Sequence, residues 1–448
     1  FLDGTIVTVA LPAIVRELGG GIATQQWVVD AYLITLGALI LIAGSISDVY
    51  GRIRVIRVGV VLFGLTSLAI ALSPTAEFLI VVRAAQGVAG ALLVPSSLAL
   101  ITSNFRGPAQ ARAIGLWTAV TSGGMIVGPL LGGLFVDTLS WRYAFAINVV
   151  PIAVVLVLLV LLGQKDEHRA GTSIDYFGAA LCTIGLGGPV FALIEAPNFG
   201  WGHPAILSAM IVGLLSFAGF LIRQRLARDP MMPLSLFVVR NFWVGNIATA
   251  LIYGALSLNF FVLGVYLQQG AGLSATLAGL AALPSTVIMV LFSSRFGALA
   301  GTFGPRLFMG FGPIIMGLSA LLFLTVSQDF NYWWQILPGI VLFGFGLTLT
   351  VSPLTSTILG AIETSRSGIA SAVNNAVARV AGLVATALVS IIVGGSINLV
   401  GFHRAVIVSA GLLIVGGVVS LIGIRNAARI AEDDSPGPPG HGRSAQDS

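Results

Sequence analysis

The stretch Gly44-Ser45-Ile46-Ser47-Asp48-Val49-Tyr50-Gly51-Arg52-Ile53-Arg54 decides how this sequence reads. An acid, two glycines and two arginines stand together between two long apolar runs. The same skeleton returns as Gly297-Ala298-Leu299-Ala300-Gly301-Thr302-Phe303-Gly304-Pro305-Arg306. Both copies read glycine, three residues, Asp or Gly, two residues, glycine, and both lie between apolar runs. A repeated turn between hydrophobic helices implies a membrane chain built from two related halves. In such architectures the path of a transported molecule runs between the halves.

Composition points the same way. Charged residues make up 9% of the 448, against about 25% in ordinary soluble domains, and hydrophobic residues make up 56%. Mean hydropathy is +1.00. A soluble fold cannot hide so much apolar surface, so the lipid bilayer is the main solvent and first partner. The 56 glycines and 19 prolines suit membrane helices, where Gly permits close packing and neighbours re-satisfy a Pro break. The single cysteine, Cys182, excludes an intrachain disulfide and reads as a packing residue. The net charge of +5 does not imply a nucleic-acid partner, because the arginines cluster in short connections. Lys165 is the one lysine; with abundant Ala, Gly and Val this suits a GC-rich bacterial genome.

Runs of spanning length fall at 1–16, 27–47, 55–73, 77–102, 110–136, 142–162, 174–195, 204–222, 241–269, 276–294, 305–326, 333–358, 367–397 and 403–424. The expected fold is an all-α integral membrane protein with fourteen transmembrane helices. Two pseudo-symmetric six-helix bundles, 1–162 and 241–424, flank an inserted helix pair at 163–240. Residues 425–448 read as a disordered cytoplasmic tail. The first run is short and begins at Phe1, so it reads as a helix truncated at its start. Of the 22 basic residues, Arg16, Arg142 and Arg404 fall on one side and Arg83 and Arg379 within spans. The rest fall in the even-numbered connections and the tail, which places both termini in the cytoplasm.

Acids within spans are expensive and usually functional. Asp3 and Asp30 are the two that lie clearly inside spans. Asp3 lies about 20 Å from the far end of its helix, near the midplane. Asp30 and Arg83 enter their helices from the same side and are expected to share a depth. A carboxylate that gains and loses an arginine can take up and release a proton. Arg379 has no acid at matching depth in the second half and is expected to bond carbonyls or Asn374 and Asn375. Gln86, Asn259, Asn374, Asn375 and Arg379 are the candidate lining of a substrate cavity. Glu195 reads as a solvated group at the end of the inserted pair. The glycines at 124, 128 and 132 repeat every four residues and expose bare backbone on one face, with Pro129 and Gly133 beside them. Asp48 offers acceptors for an arginine such as Arg112, a latch between the bundles, with Gly44 giving close packing, Gly51 the tight turn and Arg52 its charge.

Five stretches together resemble the major facilitator superfamily, and within it the fourteen-helix drug:proton antiporter branch. They are Leu2-Asp3-Gly4-Thr5-Ile6-Val7-Thr8-Val9-Ala10-Leu11-Pro12, the Gly44–Arg54 turn, Arg83-Ala84-Ala85-Gln86-Gly87, Gly124 to Gly133, and Trp141-Arg142-Tyr143-Ala144-Phe145-Ala146-Ile147-Asn148-Val149-Val150-Pro151. Thr8 stands where the branch usually has Asn, and one extra residue precedes Pro151. The resemblance covers 1–424. It implies proton-coupled antiport of hydrophobic or amphipathic compounds out of a bacterial cell across its inner membrane, by alternating access, by a monomer. It also implies that the helix-5 glycines form a seam opposite segment 13. A lipid or metabolite exporter, or an uptake symporter, would share the fold. A scaffold or sensor would have no need of buried acids. No enzyme constellation is present. The histidines, His168, His203, His403 and His441, lie in loops or the tail without metal spacing, and no Walker loop occurs. The proton gradient is the expected energy source, with no cofactor.

Overall fold

The computed structural model describes residues 2–105, 107–162, 174–227, 230–363 and 366–426. Among them all regular structure is helical. The rods are α1 (Leu2–Leu18), α2 (Ile22–Tyr50), α3 (Arg52–Ala71), α4 (Ala76–Asn104), α5 (Gly107–Thr138) and α6 (Arg142–Leu161). Then come α7 (Tyr176–Phe199), α8 (Pro204–Leu226), α9 (Arg240–Gln269), α10 (Ala275–Phe303), α11 (Pro305–Thr325), α12 (Tyr332–Gly360), α13 (Ser367–Ala387) and α14 (Leu399–Gly423). Twelve of these are long and apolar enough to cross a membrane. The other two are α1, with 17 residues, and α5, whose apolar portion is Val127–Thr138. This is a multi-pass membrane protein.

The repeated turn has one geometry in both copies. Gly51 joins α2 to α3 at φ 93° and ψ 133°, and Gly304 joins α10 to α11 at φ 87° and ψ 149°. A side chain is strained at such angles, by about 1–3 kcal/mol. Gly51→Ala should therefore lower the thermal unfolding temperature in detergent. Gly44→Ala should not, because a methyl there meets open space. Equal melting of both variants would remove the strain argument. The open space at Gly44 also corrects the expectation that this glycine serves close packing.

In the first half α2 packs on α4, α3 on α4 and α6, and α1 on α5. In the second half α11 packs on α12 and α14, α9 on α13 and α14, and α10 on α12. The halves meet where α2 crosses α13, α5 crosses α10, and α1 touches α9. Helices α7 and α8 pair with each other, and α7 rests on both α2 and α13.

The glycine ladder faces its own half, which corrects the expected seam. Methyls at Gly124, Gly128 and Gly132 would meet Leu2, Thr5 and Ile6 of α1. The interhalf contact of α5 is made by the adjoining face. There Gly133 lies against Ala275 and Thr276 of α10, and Gly279 of α10 lies against Pro129. Helix α13 instead crosses α2, and its Gly382 packs on Ser257 of α9.

Interhalf bonds gather at the end carrying the α1–α2 connection. The Gln26 amide donates to the carbonyls of Thr386 and Ala387 at 2.7 and 2.9 Å, and its oxygen accepts from Ser390 Oγ at 2.7 Å. These groups flank the break after Ala387, where helix carbonyls need new donors. Asp137 of α5 accepts from the backbone N–H groups of Ala275 and Thr276 at 3.0 and 2.8 Å, capping α10. Gln268 donates to the Val9 carbonyl at 3.0 Å. One hydrophobic core at this end draws on both halves, from Ile6, Leu11 and Phe145 to Phe261, Phe323 and Phe402. This end is sealed.

Candidate functional site

Asp3 stands on the second residue of α1 and is 4% exposed; Arg83, in the first third of α4, is 2% exposed. Arg83 Nη1 donates to Asp3 Oδ2 at 2.8 Å and to Gln86 Oε1 at 2.6 Å. Arg83 Nε donates to the Val28 carbonyl at 2.9 Å. The guanidinium lies over the Tyr32 ring, 4.4 Å from its centre, so its face is covered as well as its edge. The second Asp3 oxygen accepts from Asn148 Nδ2 at 3.2 Å. Ser67 Oγ closes the network, accepting from Gln86 Nε2 at 2.8 Å and Asn148 Nδ2 at 3.3 Å. Residues of α1, α2, α3, α4 and α6 thus converge on one buried ion pair. A pair so placed persists only with further hydrogen bonds around it, and here Val28, Gln86, Asn148 and Ser67 supply them.

Local structure explains each position. Residues 83 and 86 lie about one turn apart on α4, which sets their side chains side by side. Helix α6 is broken between Ala146 and Val149, and the break carries Asn148 inward. Its first turn is anchored, since Arg142 pairs with Glu17, stacks on Trp141 at 4.4 Å and donates to the Ser73 carbonyl at 3.0 Å. Trp141 Nε1 also donates to Glu17 at 2.6 Å. The Trp141–Pro151 run is therefore a device that holds Asn148 against Asp3.

Arg83 belongs to Asp3, not to Asp30. On the α2 wheel, at 100° per residue, Val28 and Tyr32 face α4 while Asp30 lies on the far side. Gln26 and Gly37 face α13, whereas Trp27 and Ile34 face α7. Asp30 falls between those two directions, at the junction of α2, α7 and α13. It is fully buried, and neither carboxyl oxygen has a hydrogen-bond partner. An ionised carboxylate without donors is expensive in such a place. Nearby, Trp27 Nε1 donates to Glu195 Oε1 at 2.7 Å and Asn198 to Glu195 Oε2 at 3.0 Å. Glu195 therefore ties the α7–α8 pair to α2, where a merely solvated group was expected.

The remaining candidates separate. Gln86 is part of the Arg83 network rather than a cavity lining. Asn374 donates to Asn246 Oδ1 at 3.2 Å and to Thr249 Oγ1 at 2.8 Å, joining α13 to α9. Asn375 is exposed and donates to the Ser371 carbonyl of its own helix. Asn259 of α9 is buried at 4% exposure. Arg379 bonds neither asparagine, against expectation, and has no ion pair among the described residues. The Asp48 side chain of the expected latch lies outside the described residues; Arg112 is exposed. Among the described residues no cluster of His, Cys, Asp or Glu is suited to a metal.

Ser67, Tyr32, Gln26 and Asp137 were not singled out from the sequence. Asn148 was visible only as a letter in a motif. No local signal marks such residues, since each acquires its meaning from a partner on another helix.

The comparisons with known proteins agree with this architecture. A family model described as Major Facilitator Superfamily matches residues 1–386. The tetracenomycin C resistance and export protein of Streptomyces glaucescens is 32% identical over 403 residues, covering 89% of this chain and 74% of that protein. The methylenomycin A resistance protein of Bacillus subtilis (strain 168) is 31% identical over 88% of this chain and 84% of its own length. The puromycin resistance protein pur8 of Streptomyces alboniger is 33% identical over 88% and 79%. Among solved structures, a POT family transporter in complex with a thioalcohol-conjugated peptide superposes with a TM-score of 0.70 at 14% identity, over 94% of this chain and 93% of that one. That likeness is one of fold. The chain belongs to the Major Facilitator Superfamily.

Proposed function

We propose that this protein exports hydrophobic or amphipathic compounds across the bacterial inner membrane in exchange for protons, by alternating access. The observation that carries the reading is the buried Asp3–Arg83 pair with its hydrogen-bond network, inside a multi-pass protein of this family. The resistance and export proteins it resembles support efflux. In this reading α1–α6 and α9–α14 are two six-helix bundles. Helices α7 and α8 are an inserted pair, and all fourteen rods cross the membrane as a monomer with cytoplasmic termini. The end where the halves are held together is then the outer one, and the conformation is inward-facing. Asp3 carries the coupling proton, with Arg83 as the charge that competes with it. Asp48 and Arg112 latch the opposite end when the protein faces outward. The proton gradient drives the cycle without nucleotide or cofactor.

The test is reconstitution into proteoliposomes with an entrapped pH indicator and a panel of lipophilic aromatic compounds. Substrate-dependent proton movement opposite to substrate flux is expected. Substrate flux with no proton movement would overturn the coupling. Asp30 is the second proton site of this scheme, because its unpartnered oxygens are tolerable only when neutral. Asp30→Asn should leave insertion and equilibrium binding unchanged and reduce the protons moved per substrate. An unaltered ratio would assign Asp30 a packing role.

A further inference from the structure

The six helices α9–α14 contain no acid at all; between residues 240 and 423 the acids are Asp329 and Glu363, both in connections. Yet Arg379 sits deep in α13, about 18 Å from one end of the helix and 12 Å from the other at 1.5 Å per residue. Its base faces α2, since a methyl placed on Gly37 would lie 3.7 Å from Arg379 Cβ. Tyr32 lies five residues before Gly37 on α2, and Tyr253 of α9 adjoins Gly254, where a methyl would lie 3.5 Å from the Ala381 carbonyl of α13. Tyr32 is also the ring that carries Arg83 on its face, where the halves meet.

Among the described residues Arg379 has no counter-charge. Asp3 is taken by Arg83. Asp30 does not supply it either, because its oxygens accept no hydrogen bond. The register explains why. Gln26 lies opposite 386–390 and Gly37 opposite 379 and 380, so α2 and α13 run antiparallel. Asp30 then faces the level of residue 384, about 7 Å along the axis from Arg379. An arginine at membrane depth without an anion is unfavourable, and a planar guanidinium is well matched to an oxyanion.

We propose that the transported molecule supplies this anion: an amphipathic aromatic compound bearing a carboxylate, sulfonate or ionised phenol, bound with its acidic group on Arg379 and its rings beside Tyr32 and Tyr253. This deepens the efflux reading and rests on it for the site's purpose. It also explains why the second half needs no acid, since a cationic substrate would meet a cation there.

The test uses the full chain in nanodiscs of phosphatidylcholine, whose headgroup carries no net charge, with empty discs as the blank. The probes are 1-anilinonaphthalene-8-sulfonate and its uncharged parent N-phenyl-1-naphthylamine, read by equilibrium binding. Wild type should bind the sulfonate at least about tenfold more tightly than the parent compound, the difference of one good ionic contact. Arg379→Gln should remove that preference and leave binding of the uncharged probe unchanged. Arg379→Lys keeps the charge and the stem, should retain most of the preference, and serves if the Gln variant fails to insert. No preference in wild type, equal loss of both probes in Arg379→Gln, or lost preference in Arg379→Lys with the uncharged probe still bound would each overturn the proposal. A sulfonate site abolished by adding phosphatidylglycerol to the discs would assign Arg379 to lipid headgroups and overturn it too. Binding is read without a gradient, so a failed preference leaves proton-coupled efflux standing, and absent proton movement leaves this preference standing.

Discussion

Asp3→Asn should abolish transport driven by a pH gradient while leaving substrate exchange at equal pH largely intact. The Asn side chain preserves the volume and still accepts from Asn148, so the α1–α6 contact survives. What disappears is the one group in the network able to take up a proton beside Arg83. Removing one partner of a buried ion pair costs about 3–5 kcal/mol when the other is left uncompensated. The variant will therefore be less stable. A second comparison isolates that effect: the double variant Asp3→Asn with Arg83→Gln should melt above Asp3→Asn alone, because no orphan charge remains. The measurement is counterflow beside gradient-driven uptake in the same vesicles. Full gradient-driven transport by Asp3→Asn would end its role as the proton carrier.

Gly133→Ala should disable the cycle more severely than changes to the glycine ladder beside it. A methyl at Gly133 would lie 2.5 Å from Thr276 Cα, 2.7 Å from its nitrogen and 2.8 Å from the Ala275 oxygen. These are backbone atoms at the capped start of α10 and have no rotamer to change. Overpacking of this kind costs about 1–3 kcal/mol, here borne by the conformation in which α5 and α10 touch. That corresponds to a shift of about 5- to 150-fold in a two-state equilibrium. By contrast, a methyl at Gly128 would meet the Thr5 hydroxyl, a side-chain atom that can rotate away, and a methyl at Gly124 would meet nothing nearer than 3.6 Å. Gly124→Ala should transport nearly as wild type, with Gly128→Ala between the two. Spin labels at Leu139 and Leu277, both exposed and on opposite halves, should move apart in Gly133→Ala. Unchanged label distances with unchanged transport would show that the α5–α10 crossing does not move.

The glycine ladder illustrates what sequence spacing can and cannot say. Its period of four correctly marks a face of close approach. Spacing carries no information on which helix approaches, and the neighbour is α1 in the same half rather than α13. Asp30 and Arg83 make the same point. Counting residues from the helix ends gave them a common depth. Rotation about the α2 axis then put Asp30 toward α7 and α13, while Arg83 found Asp3, 80 positions away in the chain.

The sequence by itself determined that this is an all-helical membrane protein, where most of its helices lie, and that one turn recurs. It did so because lipid imposes a local rule: every spanning segment must be long and apolar, and charge collects in the connections. The recurring turn was equally local, for only glycine accepts the backbone angles found at Gly51 and Gly304. Only the tertiary structure decided which acid holds the arginine, that Asn148 and Ser67 join the pair, and that Arg379 has no anion among the described residues. Those outcomes depend on how each helix is rotated and shifted against its neighbours. That rotation is set by packing between segments far apart in the chain, which no short window of sequence contains.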